Sequence, residues 1–237
     1  MNTSEEMVVE RMQQLVNQWE AAADQRFIFL SCYTMMTRNM LVAIERNEFH
    51  DPAWVGQLVV RFANYYFLAL ESYDQSPSQA PAVWQVAFNA SQNPRVLALQ
   101  KLLLGVNAHI KYDLVLTLVD MLQAEWHIAP EDVRRQRYQD HCHVNEVIGA
   151  TIDAVQDQVL ERAMPIMEVV DTLFGRVDEM MISRLISRWR EEVWQDAVGM
   201  LAAGEAAEQE QIIRRVEESA IRTAGLIHPG GSINKDA

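Results

Sequence analysis

Leu102-Leu103-Leu104-Gly105-Val106-Asn107-Ala108-His109-Ile110-Lys111-Tyr112-Asp113-Leu114 decides how the rest of the chain is read. It lies in a run from about Val96 to Leu122 that is apolar on nearly every side. A helix that is hydrophobic all round is normally the buried centre of a larger helical domain. His109 and Asp113 are four residues apart, so on a helix both project the same way from successive turns. Two titratable groups in an apolar setting are costly unless paired with each other or with a third group. The stretch therefore predicts a central helix that carries a polar centre.

Working outward, every long periodic segment has a helical period, and strand-like alternation is absent. Thr3 or Ser4 is placed to cap a first helix. A second is expected from about Asp24 to Arg46. Asp51-Pro52 then reads as an N-cap and first turn, and Tyr73 to Pro81 as a loop. A short helix is expected at Val83 to Ala90, with Asn93-Pro94 starting the central one. Pro130 opens a helix reaching about Leu160, and Pro165 and Gly175 punctuate the stretch after it. Another helix runs from about Arg176 to Leu201. The expected architecture is all-α, a single-domain multi-helix bundle around the buried central helix. It spans residues 1–203, and residues 204–237 form a charged helix, about Ala206 to Thr223, and a disordered polar tail.

The 237 residues are long enough for a sizeable core. A formal charge of −13 repels phosphate backbones and anionic surfaces, which argues against nucleic acid and membrane as partners. Cys32 and Cys142 form no disulfide framework and read as buried free thiols of a reducing compartment. The first residues, Met1-Asn2-Thr3-Ser4-Glu5-Glu6, are acidic where a signal peptide is basic. Asp113 and Asp120 interrupt the best apolar run, so no segment is expected to reach the ~18 residues a bilayer span needs. The expectation is a soluble, cytoplasmic protein of open oligomeric state.

On the central helix Leu102, Gly105, His109, Asp113, Leu116 and Asp120 share one strip. The tight connection near Ala129 implies that the next helix folds back antiparallel. That places Asp113 near Asn145 and Glu146, and His109 near Gly149 and Asp153. The catalytic candidates are His109 as general acid/base, Asp113 to orient it, and Asn145 or Arg188 to steady developing negative charge. Asn107, Tyr112, Glu146, Gly149, Tyr65 and Trp189 are the substrate-binding candidates. Arg184 and Arg188 flank an apolar stripe, from which one can reach inward as a clamp or both can remain a solvated flank.

Three readings of this centre compete. One is a metal-independent enzyme performing hydrolysis, cyclisation or isomerisation on a small, largely apolar substrate, with no cofactor. The second is a non-catalytic helical binding or scaffolding protein whose His–Asp network pins core helices together. The third is a hydrolase with zinc or another divalent metal on His109, Asp113 and Glu146; His109 and Asp113 supply two ligands, zinc needs one or two more, and Glu146 and Asp153 are the nearest candidates.

The motifs Phe49-x-Asp-Pro-x-Trp-Val, Phe62-Ala-x-x-Tyr and Gly105-Val-Asn-Ala-His-x-x-Tyr-Asp-Leu add a further element. With Asp140, Asn145 and Arg188 followed by Trp189, they resemble a bacterial family of unknown function over roughly Arg26 to Val198. That resemblance implies an all-helical domain in which Asn107, His109, Asp113, Asp140, Asn145 and Arg188 matter. More distantly, the chain is similar to the helical zinc phospholipase C fold, whose full ligand set it lacks.

Overall fold

A computed structural model describes residues 3–155 and 179–229. Among the described residues there are eight helices and no strands, so the chain is all-α. They are α1 (Ser4–Ala21), α2 (Phe27–Glu45), α3 (Pro52–Gln75), α4 (Ala82–Gln92), α5 (Ala98–Leu122), α6 (Glu131–Val155), α7 (Glu179–Ala202) and α8 (Ala206–Ile227). The expected helix end near Leu160, the breaks at Pro165 and Gly175, the start near Arg176 and the tail at 230–237 lie outside the described residues. The chain divides into two compact units, Met1–Val59 with Pro130–Glu191, and Val60–Ala129 with Glu192–Ala237. Two of the three divisions fall inside α3 and α7, and the third between α5 and α6.

In the first unit α1 packs on α2, and α2 on α6. Thr3 caps α1 through a reciprocal box with Glu6, which satisfies two of the amides a helix start leaves open. Met12, Val16 and Trp19 supply its buried stripe. Helices α1 and α2 end in the same way. Asp24 N–H reaches back to Trp19 O and Ala23 N–H to Glu20 O; Glu48 N–H and Asn47 N–H do the same to Ala43 O and Ile44 O. The pivots Ala23 and Asn47 both sit at φ 55°, the left-handed cap conformation. Asp51 caps α3 as expected, its Oδ1 accepting Trp54 N–H at 3.0 Å. Arg137 from α6 holds the other oxygen at 2.7 Å and lays its guanidinium over the Trp54 ring. Asp140, 1% exposed, accepts the backbone amides of His50 and Asp51 at 2.7 and 3.0 Å, so α6 clamps the entry to α3.

In the second unit α8 packs against α4 and α5. Each contact closes an open helix end or core amide. Glu217 accepts Ala82 N–H at the start of α4, Gln100 donates to Ile227 O at the end of α8, and Asn107 donates to Ala220 O. Helix α5 begins at Ala98 rather than at Asn93-Pro94. The Asn93 side chain accepts Arg95 N–H and its carbonyl accepts Val96 N–H, which spends residues 93–96 on a turn.

Two sequence expectations change. By length and composition α2 (19 residues) and α5 (25 residues) are long and apolar enough to cross a membrane. Much of each is buried within the protein, as in a core helix. Cys32 and Cys142 are free thiols, but both are only partly buried.

Candidate functional site

Helix α5 is not a regular α-helix throughout. From His109 to Asp113 it opens into one wide π turn, in which Leu114 N–H bonds to His109 O five residues back. Such single turns insert one residue into an α-helix, cost local stability, and occur frequently at functional sites. Thr117, fully buried, donates its hydroxyl to Asp113 O at 2.8 Å and so satisfies a carbonyl at the end of the wide turn.

His109 and Asp113, the pair that delimits this turn, are 3% and 2% exposed. His109 Nδ1 and Asp113 Oδ2 are 2.9 Å apart. Trp84 of α4 completes the arrangement, its indole N–H lying 3.0 Å from each oxygen of Asp113. An indole N–H can only donate, and donors favour the ionised carboxylate. Nδ1 is therefore assigned the proton it shares with Asp113, and Nε2 the lone pair. Phe62 stacks on the imidazole with centroids 3.6 Å apart and planes 8° apart, while Tyr66 meets it edge-on.

Burial pushes His109 below the usual histidine range, against the pull of Asp113. It pushes Asp113 above the usual carboxylate range, against the hydrogen bonds from His109 and Trp84. Burial thus disfavours the charged form of each group, and their mutual hydrogen bond and the Trp84 indole offset that cost.

The remaining candidates on this unit separate. Asp120, two turns beyond Asp113, lies apart from the pair. It is exposed and bonded to Arg61 and Tyr65 at 3.2 and 3.1 Å. Tyr65 therefore points its hydroxyl at Asp120, and burial followed by that carboxylate pushes it up to about 12. Tyr112 is also raised to about 12, by burial and then by Glu217 and Asp113. Asn107 is fully buried on the α8 side. Lys111 is buried on that side as well, its Nζ reaching Ser219 and Thr223 at 3.2 Å and Glu192 at 3.6 Å.

Asn145, Glu146, Gly149, Arg188 and Trp189 belong to the first unit. Glu146 is exposed and paired with His143 at 3.3 Å. Gly149 is on the α7 side of α6, where an added Cβ meets Ser183 Oγ at 3.6 Å, an ordinary contact. Asn145 is partly buried, with Oδ1 buried and accepting no hydrogen bond. Trp189 is core, and Arg184 and Arg188 are exposed. The side chain of Asp153 lies outside the described residues.

The arginine that does turn inward is neither of the two expected from the sequence. Arg190, 3% exposed, donates from Nη2 to His141 O at 2.7 Å and lies 3.3 Å from His141 Nδ1. His141 Nε2 is 3.0 Å from Arg190 O, an atom that can only accept, so Nε2 carries the proton. Burial, followed by the Arg190 charge, holds His141 well below the usual histidine range.

Among the described residues no group of three or more His, Cys, Asp or Glu side chains is placed to hold a metal. A family model matches the chain over residues 6–229, nearly its whole length. The chain belongs to DUF5995, a family of unknown function. No curated protein and no solved structure matches it. The span matched by DUF5995 takes in the His109–Asp113 turn and the His141–Arg190 pair alike. The resemblance to an all-helical family of unknown function is thereby borne out.

Proposed function

We propose that the second unit is an acid/base centre acting on a small, largely apolar molecule without need of a metal. The observation that carries this reading is the π turn that begins at His109 and ends at Asp113, a locally costly distortion placed on the bonded His–Asp pair of the central helix. In the reaction His109 Nε2 takes a proton from the substrate and returns it. Asp113 stabilises the imidazolium formed, and Trp84 keeps Asp113 ionised. The aromatic surround of Phe62 and Tyr66 suits an apolar substrate. The acidic exterior and free thiols suit a reducing, aqueous compartment.

The test presents a panel of small esters, lactones and ketones in deuterated water. It monitors both hydrolysis and deuterium uptake beside the carbonyl. The expected result is turnover of at least one class, reduced about 10²–10⁴-fold in His109→Gln. Equal rates in a folded variant refute the reading.

A second reading is favoured by the closure of the site, with Phe62 stacked 3.6 Å over an imidazole that is 3% exposed. Here the protein is a helical binding or scaffolding domain, and His109, Asp113 and Trp84 pin α4 to α5. This reading expects His109→Gln to lose stability while no compound in the panel is turned over.

A further inference from the structure

Arg190 is a buried cation with no carboxylate partner among the described residues. It is buried in the first unit, and none of its contacts there is a carboxylate. Its Nε–H is buried and makes no hydrogen bond. Burial brings the guanidinium down to about 10, against the pull of the neighbouring Cys142 thiol, so it remains charged at neutral pH. In a chain with 33 acidic and 20 basic residues, carboxylates are plentiful. A buried cation left without one is expensive, and evolution ordinarily resolves that expense with a paired anion.

A second unmet group lies on the same helix face. Asn145 is four residues on from His141, the Arg190 partner, and its buried Oδ1 lacks a donor. A donor without an acceptor, on Arg190, and an acceptor without a donor, one helical turn from its partner His141, thus occur in the same unit. An ordinary buried water answers both hydrogen bonds but leaves the charge. An oxyanion bearing a hydroxyl answers all three.

We propose that Arg190 and Asn145 form a binding site for a small oxyanion, a carboxylate or phosphoryl group carrying a neighbouring hydroxyl. The Nε–H of Arg190 holds a charged oxygen, while Nη2 stays on the His141 carbonyl as the fixed end of the fork. Asn145 Oδ1 receives the ligand's hydroxyl. The site lies within the first unit and is independent of the His109 chemistry.

The experiment titrates the whole chain with glycolate, acetate and inorganic phosphate, against potassium chloride at matched ionic strength. It reads the Arg190 Nε–H resonance by nitrogen-15 NMR and, separately, the thermal midpoint. A saturable shift with phosphate assigns a phosphoryl ligand; a shift with glycolate exceeding that with acetate assigns a hydroxy-carboxylate. Either supports the site. Arg190→Lys is expected to weaken binding at least tenfold, and Asn145→Ala to remove the preference for glycolate over acetate. No saturable shift with any of the three anions, or the same shift with chloride, overturns the proposal. The resonance is read in the unmodified protein, so the outcome stands even where Arg190→Lys fails to fold.

Discussion

The indole N–H of Trp84 is equidistant, at 3.0 Å, from the two carboxylate oxygens of Asp113. One donor therefore serves both oxygens of a carboxylate that is 2% exposed, and the other side chain bonded to that carboxylate is His109. Trp84→Phe keeps most of the volume and removes that donor. The expected loss is about 1–3 kcal/mol of unfolding free energy, the penalty for an under-satisfied buried polar group. Urea denaturation at neutral pH measures it, and a loss near zero refutes the role assigned to the indole.

Removing Asp113 has a larger expected effect. Asp113→Ala leaves His109 and the Trp84 N–H without their shared acceptor, and breaking a buried pair costs about 3–5 kcal/mol. If Asp113→Ala unfolds at the wild-type midpoint, the pair is not holding the second unit together.

Acid should weaken the protein through its buried histidines. The folded state holds His141 well below 6.5, whereas the unfolded chain takes up a proton near 6.5. The unfolded state then binds more protons, so stability falls as pH drops below about 6.5 and is constant above it. The slope attributable to His141 approaches about 1.4 kcal/mol per pH unit. Denaturation between pH 7.5 and 5 on the wild type and on His141→Gln tests this; an unchanged slope in the variant assigns the acid sensitivity elsewhere.

The clamp on the entry to α3 predicts a local effect. Asp140→Ala frees the amides of His50 and Asp51, each bonded to a buried carboxylate. A loss of about 1.5–3 kcal/mol is expected. Hydrogen exchange should accelerate at those two amides first, and uniform acceleration along α6 and α3 contradicts a local clamp.

Ala23 offers a stabilising change. At φ 55° its Cβ is strained by about 1–2 kcal/mol, and glycine loses about 0.5–1 kcal/mol of chain entropy in exchange. Ala23→Gly should gain up to about 1 kcal/mol, read as a raised thermal midpoint. The same change at Asn47 should gain less, since asparagine tolerates this conformation better.

Much of the fold is legible from local chemistry. The Asp51-Pro52 start of α3 and the all-helical class both follow from caps and period alone. His109 and Asp113 are recognisable as neighbours because a spacing of four brings side chains together in any helical turn. The π turn is not legible, since projecting residues at a constant angle conceals an inserted one. Trp84 is a partner with an available signal: a buried indole needs an acceptor, and Asp113 needs a donor. Arg190 is overshadowed in the sequence by the i, i+4 pair Arg184 and Arg188. Its own position, four after Ile186 and three before Val193, lies on the buried stripe. Residues far apart in sequence, such as Asp140 and the amides of His50 and Asp51, are joined only by tertiary packing that no local pattern encodes.

The wide turn in α5 makes this helix a counting device. Deleting any one of Ile110, Lys111 or Tyr112 would restore a regular α-helix and its ordinary hydrogen-bond ladder. It would also shorten the His109 spacing to three and withdraw Asp113 from Trp84. The helix can regain its ideal backbone only by giving up these bonds, so the wide turn and the buried triad are kept or lost together.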